Sequence, residues 1–327
     1  MNQDKTFLGT EPIGKLLRQL AVPTVIAQLV NMLYNIVDRI YIGHIPGNGD
    51  LALTGVGVCL PLILIVSAFA ALVASGGEPR ASIYMGKQDH ATAEKILGGC
   101  FALQLIVSAV LTAVLLLWNR PLLLTFGASE NTIDYAAAYM SVYAIGTVFV
   151  QLTLGMNAFI TAQGFAQIGM RTVLIGAVAN IVLDPLFIFA LNMGVRGAAL
   201  ATIISQCVSA FLVIWVLVRT SDMYQLHFSK LGLDMRMLKR IVRIGLPSGL
   251  QSAMYTTSNI IIQSSVNSLG TDTVAAWATY GKIDVIFWMI ISAFSISVTT
   301  FVGQNYGAGK MDRVRKGIRV CLGMSFV

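Results

Sequence analysis

Apolar and polar positions alternate on a long wavelength in this chain, with extended runs of Leu, Ile, Val, Ala and Phe separated by short polar stretches. Runs of this length read as helices that cross a bilayer, which takes about 20 residues each. They cover 20–42, 51–75, 96–118, 135–160, 172–191, 198–218, 241–268 and 274–302, and a further run begins near Ile318. The expected fold class is therefore an all-α integral membrane protein. In the first run Gln28, Asn31, Asn35 and Asp38 fall at spacings of three, four and three, which puts them on one helical face with Tyr34 beside them. Val25, Ile26, Leu29, Val30, Leu33, Ile36, Val37 and Ile40 cover the other faces. A charged Asp inside a span costs about 2.5–3.5 kcal/mol on insertion scales, so this face is expected to look at a cavity or a partner.

Other runs carry their own polar positions. In the fifth, Asn180 and Asp184 are four apart and share a face, and Pro185 removes the N–H that would bond the Ile181 carbonyl. Carboxylate, amide oxygen and freed carbonyl are hard oxygen ligands suited to an alkali cation or a shared proton. The alternative is a kinked helix whose Asp satisfies backbone groups at the break. The sixth run has Thr202, Ser205, Gln206 and Ser209 on one stripe, after the small residues Gly197, Ala198, Ala199 and Ala201. Such a stripe serves equally as helix-packing glue. If the first, fifth and sixth helices meet, Asp38, Asn180, Asp184 and Thr202 form a cation-binding cluster, with Asp38, Asn180 and Asp184 as ligands for Na⁺. The seventh run repeats the polar face of the first in Gln251, Tyr255, Asn259 and Gln263, but Ile262 stands where the first has Asp38. Gln28, Asn31, Tyr34, Asn35, Gln206, Gln251, Tyr255 and Asn259 are the candidate lining of a substrate cavity. The remaining ionisable residues assigned to the runs are Arg39, Lys282 and Asp284.

Composition agrees with the pattern. Hydrophobic residues make up 56% and charged residues 11%, against about 25% charged in a soluble domain, and mean hydropathy is +0.76. The net charge of +7 does not point to nucleic acid, because the basic residues cluster by side. Lys5, Lys15, Arg18, Arg80, Lys87, Lys95, Arg171, Arg219, Lys230, Arg236, Lys239, Arg240, Arg243 and the group from Lys310 to Arg319 fall on one side, while Arg120 and Arg196 fall on the other. This asymmetry places the N-terminus in the cytoplasm, and the expected location of this multi-pass protein is the plasma membrane, the inner membrane of the cell. Segment 1–19 has no signal-peptide pattern, and Lys15, Leu16, Leu17, Arg18 and Leu20 suggest a short amphipathic helix on the membrane surface. The four cysteines, Cys59, Cys100, Cys207 and Cys321, form no CxxC pair and read as small buried side chains. Met32, Met140, Met156, Met170, Met254 and Met289 suit either adaptable ligand contacts or ordinary packing. Three scattered histidines and the absence of GxSxG, Walker A and HExxH patterns argue against an enzyme.

The chain also repeats itself. Pro23 recurs as Pro247, Asn35-Ile36 as Asn259-Ile260, and Met85-Gly86-Lys87-Gln88-Asp89 leading to Cys100 as Tyr306-Gly307-Ala308-Gly309-Lys310 leading to Cys321. The pattern implies two parallel lobes of six helices each. One covers 20–219, a cytoplasmic stretch 220–239 follows, and 240–327 is a partial second lobe whose repeat would need roughly 120 further residues.

Val22-Pro23, Asn35 with Asp38, Gly86-Lys87-Gln88-Asp89, Asn180-x-x-x-Asp184-Pro185, Gly197-Ala198-Ala199 and Gly303-Gln304-Asn305-Tyr306-Gly307-Ala308-Gly309 together resemble the multidrug and toxic compound extrusion (MATE) family. The resemblance implies a monomeric antiporter in membrane lipid that exports cationic or amphipathic small molecules in exchange for H⁺ or Na⁺, with no other cofactor. It also implies a first-lobe cation site at Asp38, Asn180, Asp184 and Thr202. The family branch with an acid in its seventh helix is not matched. A lipid-linked oligosaccharide flippase of the same superfamily is the alternative, and it would want a cationic cavity, for which only Arg39 and Lys282 are available.

Overall fold

Every regular element among the described residues is a helix, because a chain crossing lipid must satisfy its own backbone hydrogen bonds. The computed structural model describes residues 7–220, 224–228, 231–232 and 234–326, the side chains at 7, 252, 253, 256, 257, 260 and 264 excepted. Lys5, Lys230 and part of the stretch 220–239 therefore lie outside the described residues. In order, the helices are α1 (Phe7–Thr10), α2 (Ile13–Gly43), α3 (Gly49–Gly86), α4 (His90–Leu117), α5 (Asn119–Thr125) and α6 (Ile133–Ile145). They continue as α7 (Thr147–Ala162), α8 (Ala166–Pro185) with a π-helical turn Leu186–Ala190, α9 (Val195–Arg219), α10 (Met235–Asn267), α11 (Thr271–Gly307) and α12 (Met311–Ser325).

Six of these are long and apolar enough to cross a membrane: α2, α3, α4, α8 with its π turn, α9 and α11. Helices α6 and α7 make a seventh if counted as one span bent by 57°. Leu33, Ile40, Val178, Val182 and Phe211 are exposed on their outer faces, an apolar surface that only lipid covers without cost. The chain is thus a multi-pass membrane protein.

The structure departs from the sequence pattern in three places. The run 135–160 is broken at Gly146, where a Cβ would collide with the Ile203 side chain, so α9 seats itself in the bend. The run 241–268 coincides with the long helix α10 up to Asn267, but this helix is not among those apolar enough to span. Its Gln251, Asn259 and Gln263 offset its aliphatic residues. Finally, Ile13–Leu20 is no separate surface helix. It forms the first turns of α2, with Leu16, Leu17 and Leu20 fully buried against a core that includes Ala81, Phe159 and Phe301. Burial against protein removes the same apolar stripe from water that lipid would have covered. Met140 and Met156 are likewise fully buried core residues, as are Cys59 and Cys100, and all four cysteines are free thiols.

The repeat reappears in the helix boundaries. Helices α3 and α11 each end in a glycine, Gly86 and Gly307, followed two residues later by a left-handed residue, Gln88 (φ 61°) and Gly309 (φ 73°). Each turn then starts the next helix, α4 or α12. At α4 the Asp89 carboxylate accepts a bond from Thr92 N at 3.0 Å and caps the helix.

Helices α3 and α11 cross against each other with almost no space between backbones. A Cβ on Gly86 would strike the Gln304 carbonyl, one on Gly307 the Ile83 carbonyl, and one on Gly303 would stand 2.8 Å from Ser82 Cβ. Polar side chains finish this end of the bundle. Gln304 Nε2 donates to the Ala162 carbonyl at 2.6 Å. Asn305 Nδ2 and Arg313 donate to the Leu8 carbonyl, Arg313 also to the Glu11 carbonyl at 2.7 Å, and Lys310 to Gly9. These bonds satisfy the carbonyls that so short a helix as α1 leaves open.

Two predictions follow from this packing. Gly307→Val inserts atoms where the Ile83 carbonyl lies and is expected to destabilise the protein by about 1–3 kcal/mol, seen as a lower melting temperature in detergent. Gly323→Ala, where a Cβ meets nothing, is the control and is expected to leave it unchanged or slightly raised. The bonds from Thr92 hold the Asp89 carboxyl below its ordinary value. A depressed folded-state value contributes stability above the unfolded value, near pH 4, and loses it as pH falls through the folded one. Asp89→Ala is therefore expected to lower the melting temperature at neutral pH, with the gap to the parent closing at strongly acid pH.

Candidate functional site

The deepest polar cluster lies in the half of the bundle away from the N-terminus, and α2 and α8 build it. These two helices pack along each other more extensively than any other pair, which turns the polar stripe of α2 towards Asn180 and Asp184. Asp38, near the far end of α2, is only 8% exposed, while Asn180 and Asp184 are 1% and 0% exposed. The π-helical turn after Pro185 marks the kink that a proline and an interrupted backbone ladder produce. Met193 N reaches back to the Phe187 carbonyl at 3.1 Å, and the start of α9 is close enough that a Cβ on Gly197 would stand 2.7 Å from the Phe187 carbonyl oxygen. Helix α9 therefore approaches the kink directly.

Asn180 Nδ2 donates to Asp184 Oδ1 at 3.3 Å, and Asp184 lies within electrostatic reach of Asp38. Tyr34 lies within electrostatic reach of both acids and within hydrogen-bonding reach of Gln206. Tyr139, fully enclosed on α6, faces Asp38 and has Thr202 within hydrogen-bonding reach. Four buried oxygens here have no hydrogen-bond partner: Asp38 Oδ1, Asn180 Oδ1, Asp184 Oδ2 and Gln206 Oε1. Among the described residues no salt bridge includes either acid, and Arg39 points outward, exposed. Buried oxygens normally find a donor or a cation, so this donor set, two carboxylates and two amide oxygens, has the composition that holds a proton or a small alkali cation. No group of three His, Cys, Asp or Glu suited to a metal occurs among the described residues, and amides complete any cation site here.

The structure thus brings together Asp38, Asn180, Asp184, Thr202, Tyr34 and Gln206. Gln206, read from sequence as cavity lining, joins the acid cluster. Gln28 and Asn31 are half-buried on α2, and Asn35 is exposed with its amide bonded to the Asn31 carbonyl at 2.6 Å. Gln251, Tyr255 and Asn259 stand exposed on α10, where Tyr255 meets Trp288 edge-on at 5.0 Å. Helix α10 packs chiefly on α3 and not along α2, so the two polar faces are not joined. Lys282 is exposed, and Asp284 accepts from the Tyr280 hydroxyl at 3.2 Å.

Two residues escape the sequence pattern. Tyr139 sits in an apolar run and looks like a lipid-facing aromatic. Glu78 follows the end of the second apolar run, yet α3 continues to Gly86 and carries Glu78 into the interior, where it is 7% exposed.

The MatE family model matches residues 23–186 and 247–327. The chain is 24% identical over 324 residues to the FAD transporter of Shewanella oneidensis, covering 98% of this chain and 71% of that protein. It is 25% identical over 328 residues to the multidrug export protein MepA of Staphylococcus aureus, again covering 98% and 71%. Among solved structures, a MOP superfamily transporter from Pyrococcus furiosus superposes with a TM-score of 0.88 at 24% identity, covering 99% of this chain and 72% of that one. At that identity the superposition speaks for the fold alone.

Proposed function

Since the chain belongs to the MatE family of transporters, we propose that it is a secondary antiporter that exports cationic or amphipathic small molecules in exchange for H⁺ or Na⁺. The observation that carries this reading is the set of four unpartnered oxygens on Asp38, Asn180, Asp184 and Gln206. Two carboxylates facing one poorly hydrated site, with Arg39 next to Asp38 but in no salt bridge with it, attract a compensating cation. Tyr34 and Tyr139 supply hydroxyls that can turn towards that cation or away from it. Gln28, Asn31 and Asn35 continue the same face of α2 away from the acids, so occupancy of the acid site and the shape of the polar face belong to one helix.

The proposed cycle follows from differential affinity. A cation entering from the side away from the N-terminus neutralises Asp38 and Asp184, relaxes the α2 face and favours the state that holds substrate weakly. Substrate leaves, the two lobes reorient, and the cation is released on the other side, which the basic residues mark as cytoplasmic. A cation that bound both states equally would shift nothing. The named relatives include a multidrug export protein and an FAD transporter. A drug-like cationic or amphipathic substrate fits this chain better, because the polar face near the site is acidic and amide-lined and the basic residues Arg39 and Lys282 are exposed. The same observation weighs against a flippase for an anionic lipid headgroup.

The test is efflux of a cationic dye from cells expressing the protein. Asp38→Asn and Asp184→Asn are each expected to reduce efflux to the level of cells without the protein, with membrane insertion and melting temperature retained. Gradient-driven efflux undiminished in both variants would contradict the reading.

A further inference from the structure

A second buried acid lies at the opposite end of the bundle from Asp38 and Asp184. Glu78 of α3 sits at the crossing with α11, one turn before Ser82 and facing Thr300. Thr300 Oγ1 donates to Glu78 Oε1 at 3.2 Å and Ser82 Oγ donates to the same oxygen at 3.5 Å. Among the described residues no basic side chain pairs with it. Two neutral hydroxyls on one oxygen replace only part of the hydration an ionised carboxylate loses on burial. The charge is therefore tolerated poorly while α3 and α11 are in contact, and well once water enters between them. The crossing itself is built to be all or nothing, since Gly86, Gly303 and Gly307 bring the backbones together with no room for a bridging layer.

We propose that Glu78 is a second proton-binding site, which takes up one proton from water as α3 closes on α11 and returns it when the two helices part. The reaction is the protonation of the carboxylate by a hydronium or buffer acid from the aqueous phase on that side, and its reversal. In the closed state the protonated carboxyl accepts from Thr300 across the interface and so bonds α3 to α11. In the open state the ionised carboxylate is hydrated and the bond is gone. The proposal rests on the reading that the two halves of the bundle separate during transport.

The surroundings leave Glu78 as the group that titrates here. Helix α4 presents Cys100 and the stretch between α9 and α10 presents Tyr224, whose hydroxyl donates to the Phe159 carbonyl at 3.1 Å. Arg80 on α3 lies towards Cys100. Helix α7 contains no ionisable side chain, and α11 offers Ser297, Thr300 and Gln304 at this level. Helix α6 meets α3 at the other end of the bundle, where Gly55 faces Tyr135. Lys15 and Arg18 of α2 and Lys239, Arg240 and Arg243 of α10 are exposed, and Arg313 of α12 is held by the Leu8 and Glu11 carbonyls.

The test is a distance measurement between spin labels on Lys95→Cys in α4 and Arg315→Cys in α12, with the four native cysteines replaced by Ala and the protein in lipid bilayers. Asp38→Asn and Asp184→Asn are included so that the first acid pair cannot respond to pH. The expected result is a shorter and a longer distance whose ratio shifts towards the shorter as pH falls, by up to about tenfold per pH unit for one proton. Adding Glu78→Gln is expected to hold the shorter distance at every pH. Thr300→Val, which needs no change in the acid, is expected to lower the ratio of closed to open about fivefold at low pH, the effect of one hydrogen bond. The same pH curve in Glu78→Gln and its parent, or an unchanged ratio of closed to open in Thr300→Val, would overturn the role of Glu78 while leaving lobe movement intact. A single distance under all conditions would remove both the proposal and the reading beneath it.

Discussion

Carboxylates in an apolar interior without basic partners are the constraint on which this structure turns. An ion in such a place is expensive unless a counter-charge or a proton accompanies it. Asp38 and Asp184 meet that condition in one half of the bundle, and Glu78 meets it in the other. Around the first pair the protein supplies spare oxygens, from Asn180 and Gln206, and around the second it supplies hydroxyl donors, from Ser82 and Thr300. The two sites are accordingly different in chemistry as well as in position.

Helix packing explains why the acids are placed where they are. The extensive contact between α2 and α8 exists because both present an apolar surface interrupted by one polar stripe, and the stripes face each other. At the opposite end, the closest backbone approach between α3 and α11 is made at glycines, with Met85 and Phe301 in the core beside them. Such an interface gains from close van der Waals approach and from hydrogen bonds, because lipid tails already satisfy apolar surface. It can therefore open without a large penalty in exposed apolar area. Close glycine crossings with few polar bonds are the kind of contact that has two discrete arrangements instead of a continuous range.

Much of this was legible in the residues. The stripe from Gln28 to Asp38, the Asn180 and Asp184 pair and the Pro185 kink follow from helical spacing and proline chemistry, and of that stripe it is Asp38, with Tyr34 beside it, that the structure brings to Asn180 and Asp184. The repeat was visible in Pro23 and Pro247 and again in the two glycine turns. Three features were not legible for identifiable reasons. Glu78 sits beyond Ser75 in the stretch Gly-Gly-Glu-Pro-Arg, whose composition looks like a loop, yet tertiary contacts with α11 keep it helical. The bend at Gly146 has no local marker but a single glycine, and it depends on Ile203 from a distant helix. Tyr139 and Tyr224 are aromatic residues whose depth depends wholly on partners that sequence spacing does not reveal, including Phe159 for Tyr224.

The central claim is that an ion gradient, spent through the oxygens of the first acid pair, drives the movement of substrate. The most direct measurement is accumulation of a cationic dye in liposomes carrying the purified protein, with a pH gradient and a Na⁺ gradient imposed separately. The account predicts that at least one of the two gradients drives the dye uphill, and that collapsing that gradient with an ionophore ends accumulation. Dye that never exceeds equilibrium under either gradient, while still crossing through the protein, would contradict it.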